Sequence, residues 1–255
     1  VATFILATIL FPIAIIIDNV IIYKIITKED KRYYMKKIKI VKDGPYIVQG
    51  GIKIVEKIIT PVGNSYTLNE VKVHNQSNVY ALCRCGKSKN PPFCDGAHSA
   101  NNFDGTETCD KLSFMERAEK IEGKNIDLYD DGRCALARFC HRENGDIWEL
   151  VQNSDTQDNI NEAILAASEC SAGRLVVVDK QGNSLNIKSE PEIEILQDIE
   201  NNVSGPIAVK GEVKLESADG TLYPAQERYA LCRCGHSSNK PFCDCSHVPY
   251  GFVDK

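Results

Sequence analysis

Cys83-Arg84-Cys85-Gly86-Lys87-Ser88-Lys89-Asn90-Pro91-Pro92-Phe93-Cys94-Asp95-Gly96-Ala97-His98 is answered about 150 residues later by Cys232-Arg233-Cys234-Gly235-His236-Ser237-Ser238-Asn239-Lys240-Pro241-Phe242-Cys243-Asp244-Cys245-Ser246-His247. Three cysteines and one histidine recur at identical spacing. Thiolates and an imidazole gathered in one short loop are ligands for a soft or borderline metal. One residue separates the first two cysteines, eight separate the second from the third, and three more precede the histidine. Common zinc modules place two or more residues between paired cysteines and a long gap before the histidine. This loop instead fits a compact cage around a cluster. The expected cluster is [2Fe-2S], with two cysteines on one iron and a cysteine and the histidine on the other. An imidazole replacing a thiolate makes the cluster less negative and easier to reduce than an all-cysteine centre.

The residues shared by the two loops have physical roles. Gly86 and Gly235 permit tight turns beside the cysteine pair. Ser88 and Ser237 can donate to a sulfur or to the loop backbone. Pro92 and Pro241 fix the approach to Cys94 and Cys243. Asp95 and Asp244 can cap the turn that presents the histidine. Arg84 and Arg233 either offset cluster charge or lie solvated on the surface.

The duplication extends upstream. Gly44-Pro45-Tyr46-Ile47-Val48-Gln49-Gly50 matches Gly205-Pro206-Ile207-Ala208-Val209-Lys210-Gly211, and Tyr80-Ala81-Leu82 matches Tyr229-Ala230-Leu231. Alternating apolar residues read as strands and Gly/Pro/Asn clusters as turns. Residues 212–223 read as a hairpin turning at Asp219-Gly220. Residues 54–78 read as an edge insertion in the first copy. Such small β-rich modules have little core of their own, so metal supplies folding energy. Between them, residues 111–121 and 158–167 read as helices and 126–129 and 175–178 as strands. The expected organisation is α+β: an apolar segment (1–34), a first β-rich module (35–103), an α/β middle domain (104–190) and a second β-rich module (191–255).

The chain has 255 residues and a net charge of -5, which argues against a general nucleic-acid binder. Seven of the eleven cysteines sit in the two loops. That clustering favours metal sites in a reducing, cytoplasmic compartment over a disulfide scaffold. Residues 4–17 are almost wholly apolar, and the stretch through Tyr23 reaches spanning length with Asp18 and Asn19 inside it. Three readings fit: an anchor through residues 4–23 with a cytoplasmic basic flank, translated sequence upstream of a start at Met35, or a buried segment.

Both loops resemble the CDGSH iron-sulfur family, Cys-x-Cys-x2-Ser-x3-Pro-x-Cys-Asp-Gly-x-His. The resemblance implies that Cys83, Cys85, Cys94 and His98 hold one [2Fe-2S] cluster, and Cys232, Cys234, Cys243 and His247 the other. The family includes mitoNEET-like dimers with one motif per chain and single chains with two. It is associated with electron transfer, cluster transfer and redox sensing, and with an exposed, protonatable histidine that makes the cluster acid-labile. Two motifs in one chain would supply both halves of a family dimer, as an intrachain pseudo-dimer. Cys245 departs from the pattern, standing where the family has glycine. It is an alternative ligand, a redox-active thiol or a passive substitution, strained if the position needs a positive φ.

Cys134 and Cys140, with Cys170 thirty residues on, resemble the divergent single-cluster ferredoxin domain found beside CDGSH motifs. The usual pattern has another cysteine at the position of Ala137, so three of four thiolates are present. A [3Fe-4S] cluster fits that count, as does a [4Fe-4S] cluster with a different fourth ligand, for which Cys109 and His141 are candidates. The alternative is a degenerate domain with buried thiols. His74 and His236 read as surface residues.

No nucleotide loop, nucleophile triad or flavin fingerprint is present. The expected function is therefore non-enzymatic: an iron-sulfur protein in electron transfer, cluster transfer or redox sensing, with a redox or cluster-acceptor protein as partner. An electron-feeding subunit of a larger oxidoreductase and a zinc-binding interaction module are the alternatives.

Overall fold

The computed structural model describes residues 12–17, 20–25 and 36–254, in two compact units, Val1–Met35 and Lys36–Lys255. In the first unit, β1 (Pro12–Ile17) and β2 (Val20–Ile25) pair antiparallel. Their β-branched isoleucines and valines favour the extended backbone. Of the anchor considered for residues 4–23, the described residues 12–17 and 20–23 are paired strand. Among the described residues no helix is long and apolar enough to cross a membrane. The rest of that segment, residues 1–11, 18–19 and 26–35, lies outside the described residues.

In the second unit, sheet predominates among the described residues and helices are few. Alternation puts Ile38 and Ile40 of β3 (Lys37–Ile40), and Tyr46 and Val48 of β4 (Tyr46–Gln49), on one buried face. These strands pair antiparallel, with Ile38 opposite Val48, and β4 then pairs with β7 (Val79–Leu82). The second copy repeats the pattern. β13 (Glu192–Asp198) pairs with β14 (Val203–Lys210), with Ile193 opposite Val209, and β14 pairs with β16 (Arg228–Leu231).

Each copy then gives a strand to the other. β5 (Lys53–Val62) runs parallel to β13, with Lys53 beside Glu192. β15 (Lys214–Glu216) runs parallel to β3, with Lys214 beside Lys37. The resulting sheets have the orders β16-β14-β13-β5-β6 and β15-β3-β4-β7, where β6 is Ser65–Val73. Cross-strand ion pairs hold the exchanged strands. Lys57 and Lys210 each stand 2.8 Å from the buried Glu194, and Lys37 stands 2.8 Å from Glu216. One apolar core joins both sheets, with Ile38, Tyr46, Ile54 and Leu82 from the first copy and Ile193, Val209, Leu215 and Leu231 from the second. Of residues 54–78, expected as an edge insertion, β6 forms the sheet edge, whereas β5 lies inside the sheet between β13 and β6. The turn at Asp219-Gly220 is closed by Ser217 N–H donating to the Thr221 carbonyl at 2.8 Å.

The middle region contains a three-stranded antiparallel sheet, order β12-β9-β8: Leu175–Asp179, Ile126–Asp130 and Glu119–Glu122. Four helices are described: α1 (Ala97–Ala100), α2 (Phe114–Arg117), α3 (Ile147–Gln152) and α4 (Gln157–Glu169). The small ladder of β10 (His141–Arg142) and β11 (Gly145–Asp146) leads into α3. Ala163, Ala166 and Ala167 of α4 pack with Leu128, Leu150 and Val177. The helix expected over 111–121 is corrected: it spans only α2, and the following residues form β8. Pairing with β9, a Lys120–Asp127 ion pair at 3.0 Å and packing of Ile121 on the core outweigh local helix preference. His74, expected at the surface, is only 6 % exposed and meets Phe93 edge-on.

The two copies come closest at their glycines. A Cβ on Gly86 (φ +70) would lie 2.6 Å from the Cys234 carbonyl oxygen, and one on Gly235 (φ +86) 2.8 Å from that of Cys85. Gly86→Ala is expected to lower stability by about 2–4 kcal/mol, from left-handed strain plus a backbone clash, read from the guanidinium unfolding midpoint. Gly96→Ala (φ +89), with nothing within 4 Å of the added methyl, should lose only about 1 kcal/mol. Equal losses at the two positions would mean that the loops do not abut.

Candidate metal centres

Each loop is shaped by its own backbone. Cys83 N–H donates to the Pro92 carbonyl and Cys94 N–H to the Ala81 carbonyl, at 2.8 and 2.9 Å. The second copy repeats both bonds, Cys232 to Pro241 and Cys243 to Ala230, at the same distances. Ser88 and Ser237 donate to the Phe93 and Phe242 carbonyls, both at 2.6 Å, so these hydroxyls brace the loop rather than bond a sulfur. Asp95 accepts from the N–H groups of Lys89 and Ala97, and Asp244 from those of Ser238 and Ser246. These carboxylates fix the turn that leads to the histidine.

The donors stand in pairs. The sulfurs of Cys83 and Cys85 are 3.7 Å apart, and those of Cys232 and Cys234 3.6 Å. Two thiolates on one tetrahedral metal at about 2.3 Å stand about 3.8 Å apart. The Cys94 sulfur lies 3.4 Å from His98 Nδ1, and the Cys243 sulfur 3.5 Å from His247 Nδ1. Among the described residues no group of three or more His, Cys, Asp or Glu is gathered closely enough to hold a single metal ion. Paired donors suit a two-iron cluster, which asks for two protein ligands on each iron.

The electrostatics favour thiolate at one member of each cysteine pair. A hydrogen bond from Cys85 pulls Cys83 down to about 5, and one from Cys234 pulls Cys232 down to about 6. Backbone N–H groups of Gly86 and Ser88 also point at Cys83, and those of Gly235 and Ser237 at Cys232. Burial pushes Cys94 and Cys243 up. Both loop arginines are buried, at 2 % and 3 % exposure, which removes the solvated-surface reading. Arg233 donates to the Gly205 and Leu196 carbonyls and pairs with Asp254. Arg84 donates to the Gly105 carbonyl and lies over Tyr46 and Phe103, while its Nε and Nη1 have no hydrogen-bond partner.

The two histidines differ. His98 is half-buried and borders an open hollow with Ser99, Asn102 and Asp104. His247 is 3 % exposed, which departs from the exposed histidine expected of the family. Burial, and then the Arg233 charge, hold its imidazole down at about 4.

Cys134, Cys140 and Cys170 line one cavity with Arg138, Trp148 and Arg174. The candidate fourth ligands do not join them. Cys109 lies against the Tyr223 hydroxyl at 3.5 Å, and His141 is exposed and outside the cavity lining. Ala137, in the place of the missing cysteine, packs with Ile59, Phe139 and Leu196. The middle region is clamped to the second copy. A Cβ on Gly173 (φ +63) would lie 2.1 Å from the Arg228 carbonyl oxygen, and Arg133 lies 4.6 Å over the Phe242 ring. Cys170 and Cys243 share a small apolar cluster with Ala135, Ala172 and Ala230. Cys245 has a φ of +69, and its sulfur donates to the Cys134 carbonyl at 2.9 Å.

Comparison with known proteins agrees with this geometry. The family described as "Iron-binding zinc finger CDGSH type" matches residues 43–99 and 204–248, and the family "Divergent 4Fe-4S mono-cluster" matches residues 121–180. A "CDGSH iron-sulfur domain-containing protein 2 homolog" of Drosophila virilis is 47% identical over 34 residues, 13% of this chain and 26% of that protein. The chain thus spans about a quarter of the length of that curated relative. No solved structure matches. CDGSH domains bind iron-sulfur clusters, and this chain carries two matches to that domain around a match to the divergent 4Fe-4S mono-cluster family.

Proposed function

We propose that the protein is a non-enzymatic electron-transfer protein with three iron-sulfur centres. Cys83, Cys85, Cys94 and His98 would hold one [2Fe-2S] cluster and Cys232, Cys234, Cys243 and His247 a second, with a third on Cys134, Cys140 and Cys170. Such clusters, when bound, supply one-electron redox chemistry. The observation that carries the reading is contiguity. The two Cys-x-Cys loops touch through Gly86 and Gly235, and Cys243 packs with Cys170 of the middle region.

The protein's own residues hold the thiolates with backbone N–H groups, bury the second loop from water and place arginines beside each site. Arg84 and Arg233 flank the loops, and Arg138 and Arg174 line the middle cavity. Buried cations offset the negative charge that thiolate-bound clusters bring. The hollow beside His98 is the face best placed to meet a redox partner. The strand exchange between copies supports treating the two CDGSH halves as an intrachain pseudo-dimer.

Anaerobic purification with iron and sulfide quantification and EPR tests the reading. Seven or eight irons per chain are expected, about four of them from the two [2Fe-2S] clusters. A plateau at about four irons would remove the middle centre. Less than one iron with stoichiometric zinc, after cluster loss is checked, would overturn the proposal.

Acid tests the second [2Fe-2S] centre. A histidine held neutral by burial resists protonation in the folded state, so His247 remains a donor down to about pH 4. Its depressed value makes the unfolded chain bind the proton first. The associated stability is therefore complete above the ordinary imidazole range and is lost as pH falls towards 4. Visible absorbance is followed against pH in the parent and in His247→Cys, where no imidazole remains to be protonated at the second site. The component lost towards pH 4 should persist to lower pH in that variant, and an unchanged acid profile would overturn the role given to His247.

A further inference from the structure

The middle region lacks one ligand. Its cavity gathers three cysteines, while a four-iron cluster takes four protein ligands. Of the candidates in its own sequence, Ala137 is apolar, His141 is exposed and Cys109 lies by Tyr223, while Ser171 lines the cavity with a hydroxyl that has no hydrogen-bond partner but is not a thiol. We propose that the fourth ligand is Cys245, contributed by the second CDGSH loop.

Four observations carry this. First, Cys245 touches Cys134: its sulfur is 2.9 Å from the Cys134 carbonyl oxygen. Second, Cys134 lines the same cavity as Cys140 and Cys170, so a sulfur held against Cys134 lies at that cavity's edge. Third, the backbone at Cys245 is left-handed, with φ +69. A non-glycine residue there stores strain of about 1–3 kcal/mol, and such strain collects where a side chain has a task. Fourth, the equivalent residue of the first loop is Gly96, at φ +89, where a Cβ would meet nothing within 4 Å. The cysteine occurs only in the copy whose loop faces the middle region.

The ligation is simple in its chemistry. The Cys245 thiol would lose its proton to solvent, and its thiolate would hold the iron that Cys134, Cys140 and Cys170 leave without a protein ligand. Arg138 and Arg174, both in the cavity wall and paired with Asp198 and Asp130, would offset the added negative charge. Cys243 and Cys245 would then hold adjacent clusters from one loop, with only Asp244 between them. Bacterial two-cluster ferredoxins use the same arrangement, a cysteine of one motif ligating the neighbouring cluster. Here the lender is a domain of different fold.

This inference rests on the middle centre proposed above, and the test separates the two. The full chain and its Cys245→Gly variant are purified anaerobically and compared by iron content and by EPR in reduced and oxidised states. Glycine is the residue the φ favours, so the variant is expected to fold at least as well. The expected result is about eight irons in the parent and about seven in Cys245→Gly. The variant should gain the oxidised-state signal of a three-iron cluster, with both [2Fe-2S] signals unchanged. Cys245→Ser, an oxygen ligand, should keep four irons at the middle site with a shifted reduced-state spectrum. About eight irons and an unaltered four-iron spectrum in Cys245→Gly would overturn the Cys245 assignment alone. Only about four irons in the parent, with a mass 2 Da low from a Cys134–Cys245 disulfide, would overturn the middle centre and this ligand with it.

Discussion

The close approach of the two Cys-x-Cys loops constrains the rest of the fold. Each places a glycine against the carbonyl of the other's cysteine, and neither position has room for a side chain. Two loops can abut in this way only if the strands leading to them are registered against each other, and the exchange of β5 and β15 provides that register. The Tyr46 hydroxyl then reaches across to donate to the Cys232 and Pro241 carbonyls, at 2.8 and 3.1 Å, and is buried there. Neither half could close its sheet alone. A module of this size has too little apolar surface to be stable on its own, and here the missing strand and the missing core both come from the other copy.

The duplication supplies symmetry, and the middle region breaks it. Tyr80 and Tyr229 donate to the Ile52 and Val213 carbonyls, at 2.7 and 2.9 Å, and both pack edge-on to the phenylalanine of their own loop. These are equivalent braces. Outside them the environments diverge. The first histidine borders an open hollow, whereas the second is covered and lies near Arg233. Arg233 has three partners, including Asp254 near the C-terminal end, whereas two nitrogens of Arg84 have none. The same loop sequence therefore sits in two dielectric settings. A buried charge interacts more strongly with its neighbours than an exposed one. One motif can in this way give two centres of different accessibility without any change of ligand.

The loops were legible because metal ligation demands fixed residue types at fixed spacing, and their short-range geometry follows from that spacing. Strands β9 and β12, expected over 126–129 and 175–178, were legible for a similar local reason. Strand exchange was not. Nothing local tells whether Lys53 will sit beside a strand of its own copy or beside Glu192. That choice is made by apolar faces and charges far apart in sequence. β13 shows the limit well: Glu192-Ile193-Glu194-Ile195 alternates, yet its glutamates are not a solvent face, because Lys57 and Lys210 come from two neighbouring strands to neutralise Glu194. Residues 111–121 failed for the opposite reason, since their helical composition yielded to a strand partner. His74 looked like a surface residue because Phe93, which covers it, is 19 positions away and belongs to the loop.

Cys245 was visible in the sequence as a departure, but its meaning depended on which neighbour the loop would face. Had it lain in the first copy, the same thiol would have pointed into open space. A glycine at that position costs nothing in a left-handed backbone, so a cysteine there is retained against a local penalty. The cavity beside it lacks one thiolate and already holds two arginines. On the proposed ligation, the strained backbone at Cys245 and the count of three cysteines at Cys134, Cys140 and Cys170 have one explanation. Asp244, which braces the loop through the Ser238 and Ser246 N–H groups, fixes the spacing between Cys243 and Cys245. It thereby ties the geometry of the second CDGSH site to that of the middle region.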